Sequence, residues 1–198
     1  MPFWALSLTM RAEILARAAH AKQIRKGSGV PYITHPQAVA KLLAGCSEVA
    51  QASAWLHDVV EDTSYTLDDI RKECGDEVAS VVAELTEKKY DEDAKKRLWH
   101  LRKKEAIAAV LTLSQTATEV RAADVICNFV TVLEDLDRVG DAIWERFAVS
   151  RADSLWYYKS MMVALIPRMT RWDLRFQLQG ALVACELEIE KGHTDGPK

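Results

Sequence analysis

The sequence predicts an all-α fold, a compact multi-helix bundle, and three observations carry that expectation. Apolar residues recur three and four positions apart along most of the chain, which is the spacing of a helix stripe. No stretch alternates apolar and polar residues well enough to read as a strand, and no internal repeat is visible. The breaks between periodic stretches fall on Gly, Pro, Ser, Thr and Asp signals that start and stop helices. The 198 residues are 49% apolar and 28% charged, which places the chain among globular proteins rather than disordered ones. That length suffices for one domain with a real core, or a tight two-lobed one.

Residues 9–26 put Met10, Ile14, Leu15, Ala18 and Ala19 on one stripe, with Arg11, Glu13, Arg17 and Lys22 off it. This first helix is expected to stop near Lys26, because Gly27-Ser28-Gly29-Val30-Pro31 is a loop sequence. His35-Pro36 opens a second helix, with Pro36 at the first helical position where its missing N–H costs nothing, and the helix runs to about Leu43 and ends by Gly45. Residues 48–60 form a third helix carrying Trp55, Leu56 and Val59. Thr66 and Asp69 have capping-box spacing before a short helix over 67–73, which Gly75 closes. Asp76 then caps a helix over about 77–88. Residues 87–97 are almost all polar and are expected as a mobile loop leading into a helix over 98–112. Ser114 to Thr118 break the pattern, and 119–137 form a strong helix with Val120, Ala123, Ile126, Val130 and Leu133. Two more helices, about 151–166 and 171–191, complete a single domain over 1–191, leaving 192–198 as a frayed tail.

Charge and composition exclude several functions. The formal net charge is −3 with both signs mixed along the chain, so no nucleic-acid surface is expected. The start is apolar but has no basic leader segment, and no stretch is long and apolar enough to span a membrane. The four cysteines, Cys46, Cys74, Cys127 and Cys185, are far apart and form no C-x-x-C pair, which suits buried thiols in a reduced, cytoplasmic protein. The six tryptophans sit at helical positions and read as packing groups.

The chemistry concentrates at Trp55-Leu-His57-Asp58-Val-Val-Glu61-Asp62-Thr63. An imidazole and a carboxylate inside an apolar helical stretch are costly to bury unpaired, and a divalent metal partners both. On a continuous helix His57 would lie over Glu61 and Asp58 over Asp62, giving one polar strip. A second helix repeats the pattern with Asp124, Asn128 and Thr131 on one face among core-like Val125, Ile126, Phe129 and Val130. His35, at a helix start after a glycine-containing loop, is a third contributor. Two histidines and two carboxylates suit manganese, iron, cobalt or zinc, and the lack of cysteine ligands argues against a structural zinc site. Such an ion lowers the pKa of bound water and polarises a phosphoryl oxygen, while Glu61 and Asp62 are placed to orient that water and move protons. Each group alone has a plainer reading. The His-Asp pair can be a chance surface pair, Glu61-Asp62 a solvated helix end, Asp124 a partner for Arg121 or Arg97, and Arg25-Lys26 a basic last turn favoured by the helix dipole.

Read together, these blocks resemble the HD phosphohydrolase superfamily, and within it the (p)ppGpp hydrolase domain of RelA/SpoT-type proteins, most closely the small alarmone hydrolase branch. The resemblance runs from Ala19-His20-Ala-Lys-Gln23-Ile-Arg25-Lys26-Gly-Ser-Gly-Val-Pro31-Tyr32-Ile-Thr-His35-Pro36 through Ala54–Thr63, Thr66–Ile70 and Cys74–Val78 to Ala123-Asp124 and Asn128, roughly residues 10–135. It implies an HD-domain bundle with one manganese ion on His35, His57, Asp58 and Asp124. It also implies that Glu61 and Asp62 handle the attacking water, that Arg25 and Lys26 face the nucleotide, and that Asn128 and Thr131 hold its sugar or base. The implied reaction removes the 3′-pyrophosphate from (p)ppGpp to give GDP or GTP, and no synthetase region follows within these residues. The chain departs from the family pattern at Val125, usually basic, at Cys127, usually an imidazole or phenol, and at Val130, usually basic. These departures leave the ligands intact and keep a second substrate open, such as another nucleotide like NADPH. A non-catalytic nucleotide sensor is the reading from a different class, but none of the ligands or acids it would lack is missing. A small-molecule nucleotide is therefore the expected partner. Trp156-Tyr157-Tyr158 either flanks the cleft or belongs to a homodimer surface.

Overall fold

The computed structural model describes residues 6–25 and 29–194. Its helices are α1 (Leu8–Ala19), α2 (Thr34–Leu42), α3 (Glu48–Leu56), α4 (Val59–Asp62), α5 (Leu67–Cys74), α6 (Asp76–Leu85), α7 (Trp99–Ala109), α8 (Gln115–Val139), α9 (Arg151–Leu165) and α10 (Trp172–Thr194), with 3-10 turns at Gly140–Arg146 and Ile166–Arg168. Among the described residues no strand forms. Two isolated antiparallel bridges, Ile24 with Pro31 and Tyr90 with Lys96, are the nearest approach to one. The all-α expectation therefore holds.

The chain divides into two compact units, Met1–Asp124 and Val125–Lys198. In the first, α3 is the central helix and packs on α1, α2 and α6. Its sequence explains why. Ala50, Ala52, Ser53, Ala54, Trp55 and Leu56 are all buried, and their mostly small side chains let neighbouring helices approach on several sides. Ser47 starts α3 by accepting a hydrogen bond from the Ala50 N–H at 3.1 Å. In the second unit α9 and α10 pack together around Leu155, Tyr158, Met161, Met162, Leu165, Leu174, Leu178 and Cys185. The Phe129 and Tyr158 rings lie 5.2 Å apart in the same core.

Several boundaries differ from the sequence expectation, each for a local reason. Helix α1 buries Ala12, Leu15 and Ala16 against α3, while Met10, Ile14 and Ala18 face outward. Small residues meet the alanine-rich face of α3 better than the larger stripe does. The helix also ends at Ala19, well short of the expected Lys26, which itself lies outside the described residues with Gly27 and Ser28. The buried His20 ring meets the Gln23 side chain, whose amide donates to the Asp62 carbonyl at 2.6 Å, and this turns the chain inward. Arg25 N–H then donates to Val30 O and Tyr32 N–H to Gln23 O, both at 2.9 Å, which makes a hairpin-like crossing of helical residues improbable from periodicity alone.

The expected 48–60 helix is two helices, broken at His57-Asp58. The expected break over 114–118 is instead the start of α8. Ser114 Oγ accepts from the Ala117 N–H at 3.2 Å, and Thr118 Oγ1 returns a bond to the Ser114 carbonyl, so these hydroxyl residues cap a helix rather than interrupt one. The tail expectation shifts as well, because α10 runs to Thr194; residues 195–198 lie outside the described residues. The capping box at Thr66 and Asp69 is present as expected, and Gly75 joins α5 to α6 at φ +92°, ψ 169°, a region reserved essentially for glycine.

Candidate metal centre

His57 sits at the end of α3, where its Nδ1 donates to the Ala54 carbonyl at 2.8 Å. In the neutral ring that bond fixes the tautomer, so that losing the Nε2 proton leaves a lone pair directed inward. His35, in the first turn of α2, brings its own Nε2 to 3.2 Å from it. Asp58, the residue between α3 and α4, places Oδ2 3.1 Å from His57 Nε2 and 3.6 Å from His35 Nε2. Asp124 on α8 places Oδ1 3.1 Å from His35 Nε2 and 3.6 Å from His57 Nε2. His35, His57 and Asp124 are buried and Asp58 is nearly so.

Two ring nitrogens and two carboxylate oxygens thus converge from three helices and the turn after α3. Ligands about 2.1 Å from one ion sit roughly 3.0–3.4 Å apart in octahedral or tetrahedral arrangements, close to the 3.1–3.6 Å separations here. His35, His57 and Asp58 each bring one ligand atom within 4.8 Å of the others, a group that could hold a metal ion, and Asp124 Oδ1 lies beside the two imidazoles. The residues therefore fit a metal ion, and His35 Nδ1, buried without a hydrogen-bond partner, faces away from the cluster on its own ring.

Electrostatics follow the geometry. Burial would lower the His57 pKa, but the Asp58 charge and the hydrogen bonds to Asp124 and Asp58 outweigh it and hold the imidazole well above its usual range. Burial would raise Asp124, yet hydrogen bonds from His35 and His57 hold it well below the carboxylate range. Burial likewise opposes ionisation of Asp58, and His57 overcomes it. Arg121 lies 3.4 Å from Asp124 Oδ2 and also donates to the Leu85 carbonyl at 2.6 Å, tying α8 to the end of α6.

Glu61 and Asp62 lie on α4, just past His57 and Asp58, though the break there means that they do not continue one uninterrupted helical strip. The backbone bond from Asp62 N–H to Asp58 O at 2.9 Å preserves a single turn of that register. Two residues that periodicity does not single out complete this corner. The Tyr32 hydroxyl donates to Asp58 Oδ2 at 2.6 Å and lies 3.1 Å from Asp62 Oδ2, and burial followed by the charge of Asp58 pushes its pKa far up. Lys89 Nζ bonds Asp62 Oδ1 and sits 3.2 Å from Glu61 Oε1. Its segment, expected to be a mobile loop, is pinned at its base: Glu87 N–H donates to Glu61 Oε2 at 3.2 Å, and the Glu87 carboxylate is held by Arg102 at 2.8 Å and by Lys103. Burial and then Glu87 raise the Glu61 pKa, and Lys89 opposes that rise.

The remaining expected residues are more scattered. Arg25 lies in the Ile24–Pro31 crossing and is half-buried, and Lys26 lies outside the described residues. Asn128 and Thr131 follow Asp124 along α8 and belong to the second compact unit, where Thr131 Oγ1 donates to the Cys127 carbonyl at 2.9 Å. Val125 is buried and Cys127 half-buried there. Tyr158 is buried and Trp156 and Tyr157 are half-buried, so that triplet packs into its own unit. No helix among the described residues is long and apolar enough to cross a membrane.

Comparison with known proteins shows the family and the fold. The HD domain family model matches residues 12–150. The mouse guanosine-3′,5′-bis(diphosphate) 3′-pyrophosphohydrolase MESH1 is 34% identical over 145 residues, 71% of this chain and 75% of its own. A Mycobacterium leprae protein named as a probable GTP pyrophosphokinase is 49% identical over 83 residues, 41% of this chain. The Haemophilus influenzae guanosine-3′,5′-bis(diphosphate) 3′-pyrophosphohydrolase is 48% identical over 71 residues, 35% of this chain. In both bacterial cases the match spans 10% of the relative's length. In structure, a metazoan orthologue of SpoT, described as hydrolysing ppGpp, aligns with TM-score 0.73 at 24% identity over 90% of this chain and 96% of its own, a likeness of fold. A Listeria monocytogenes protein aligns with TM-score 0.68 at 28% identity over 79% of this chain and 99% of its own. With its His35, His57, Asp58 and Asp124 gathered at one point, the chain belongs to the HD-domain family, in the group that includes mouse MESH1.

Proposed function

We propose that the chain is a manganese-dependent nucleotide pyrophosphohydrolase that removes the 3′-pyrophosphate of (p)ppGpp, giving GDP or GTP. The observation that carries this reading is the four-donor cluster with a partly buried Glu61–Asp62 pair beside it. The name of the mouse relative, matched over three quarters of its length, supports the substrate. His35, His57, Asp58 and Asp124 hold the ion, and their mixed nitrogen and oxygen donors suit manganese. When bound, the ion supplies positive charge against the phosphoryl oxygens and makes water at the site more acidic.

The chain's own groups do the rest. Glu61 accepts the proton of the attacking water; burial keeps its pKa above the ordinary carboxylate value, closer to working pH, while Lys89 keeps it ionised. Asp62, held between Tyr32 and Lys89, orients that water, and the proton taken up by Glu61 passes to the departing 3′-oxygen. A water-to-phosphorus bond forms as the bond from phosphorus to the 3′-oxygen breaks. Arg25 and Lys26 counter the phosphate charge, and Asn128 and Thr131 contact the sugar or base.

Incubation of the purified protein with manganese and ppGpp tests the reading, with GDP and pyrophosphate as the expected products. Release of phosphate or pyrophosphate from a different nucleotide, such as phosphate from NADPH, supports the second reading, which Val125 and Cys127 favour because they replace basic and imidazole or phenol side chains. Tight nucleotide binding without turnover would indicate a sensor.

A further inference from the structure

Helix α10 is apolar on two faces. One face, with Leu174, Leu178 and Cys185, is buried in the second unit. The other carries Trp172, Phe176, Val183 and Leu187, which are 79%, 70%, 57% and 53% exposed. These four side chains form one stripe roughly 22 Å long, since a helix rises about 1.5 Å per residue. A helix apolar on two sides normally has two partners, and a stripe of this kind on a soluble surface marks an interaction site.

Gly180 lies on the same stripe, between Phe176 and Val183. Glycine is a poor residue for a helix interior. Nothing among the described residues requires it, because a Cβ at Gly180 would meet no atom of theirs within 4 Å and its φ is not left-handed. A bare backbone facing outward is explained by another backbone approaching closely there.

Charge identifies the partner. One margin of the stripe is basic at Arg175 and at Arg171, which lies just before α10 and pairs with Asp173 at 2.5 Å, and is acidic toward the end of the helix, with Glu186 and Glu190. A parallel pair of such helices sets like charges together. An antiparallel pair of identical helices centred near Gly180 sets Arg175 beside Glu186 of the second copy and Arg171 beside Glu190, twice by symmetry. The same register seats Phe176 between Val183 and Leu187 of the second copy. Glu186 also meets Lys159 of its own chain at 2.9 Å, an exposed bridge at the edge of this surface.

We infer that α10 is a homodimerisation helix, pairing antiparallel with the α10 of a second copy around Gly180. Because one helix pair buries less than a standard interface, the dimer is reversible and concentration-dependent.

Sedimentation of the full chain from low to high micromolar concentration tests this. The inference expects a monomer–dimer equilibrium, at least tenfold weaker dimerisation in Phe176→Glu, and an unchanged circular dichroism spectrum for that variant. Arg175→Glu and Glu186→Arg should each weaken the dimer several-fold, and the two together should restore it. Gly180→Cys should cross-link two copies on mild oxidation where the parent chain does not, which provides a readout even if Phe176→Glu misfolds. A chain that stays monomeric throughout, a dimer indifferent to Phe176→Glu, no rescue by the charge exchange, or no Gly180→Cys cross-link overturns it.

Discussion

At the residue scale, His57 does two jobs through its two nitrogens. Nδ1 closes α3 on the Ala54 carbonyl, and Nε2 faces His35 and the two carboxylates. Replacing His57 or Asp58 with Ala should abolish metal binding and turnover together, as read by metal titration and by product release. Glu61→Gln should retain the ion and lower kcat by about 10²–10⁴, the usual range for losing a proton-transfer group. Loss of metal in that variant would contradict the role. The pH dependence follows from the same groups. In the metal-free protein His57 keeps its proton above the ordinary 6.5, and a metal ion must displace that proton. Affinity should therefore rise with pH, by at most about tenfold per unit for one proton, and level off above the raised pKa; calorimetric titration across pH checks it. For Lys89→Met the sign is upward. Removing the ammonium removes a cation that lowers Glu61, so the acid limb of the rate profile should move to higher pH. An unmoved limb would separate Lys89 from Glu61. The meeting of His57 and Asp58 was legible because they are neighbours in a strongly apolar run. Lys89 was not, because it lies in a polar stretch with no period, and its meaning depends on a fold-back onto α4.

At the scale of elements, the break between α3 and α4 puts the chemistry at a helix junction rather than along a helix side. Hydrophobic spacing runs through 48–60 without interruption, so periodicity could not reveal a break made by one side-chain bond to Ala54. The reverse happened at 114–118, where hydroxyl residues that compete with helix backbone bonding elsewhere act as a start signal. Local capping chemistry was the most legible part, as at Thr66, Asp69 and Gly75. Gly75→Ala should destabilise the first unit by about 1–3 kcal/mol, because its dihedrals suit glycine alone, while leaving the metal cluster intact. Urea unfolding alongside metal titration measures both, and an unchanged midpoint would show that the junction tolerates a side chain.

At the scale of the molecule, the site depends on residues remote in sequence: Asp124 of α8 meets His35 of α2 and His57 at the end of α3. The sequence suggested this convergence only through the ordered set of motifs, since spacing along the chain says nothing of which helices meet. Metal binding should consequently stabilise the fold, by about 2.7 kcal/mol at a hundredfold excess over Kd, and Asp124→Ala should remove the shift in thermal midpoint. The two surfaces that matter, the buried cluster and the outer stripe of α10, reflect opposite patterns. One is a set of polar groups where apolar residues were expected, and the other is a set of apolar groups left on the outside. The most direct test of the central claim is product analysis after incubation with manganese and ppGpp. GDP and pyrophosphate in equal amounts, lost in Asp58→Ala, is the predicted result; bound manganese with no pyrophosphate released would contradict it.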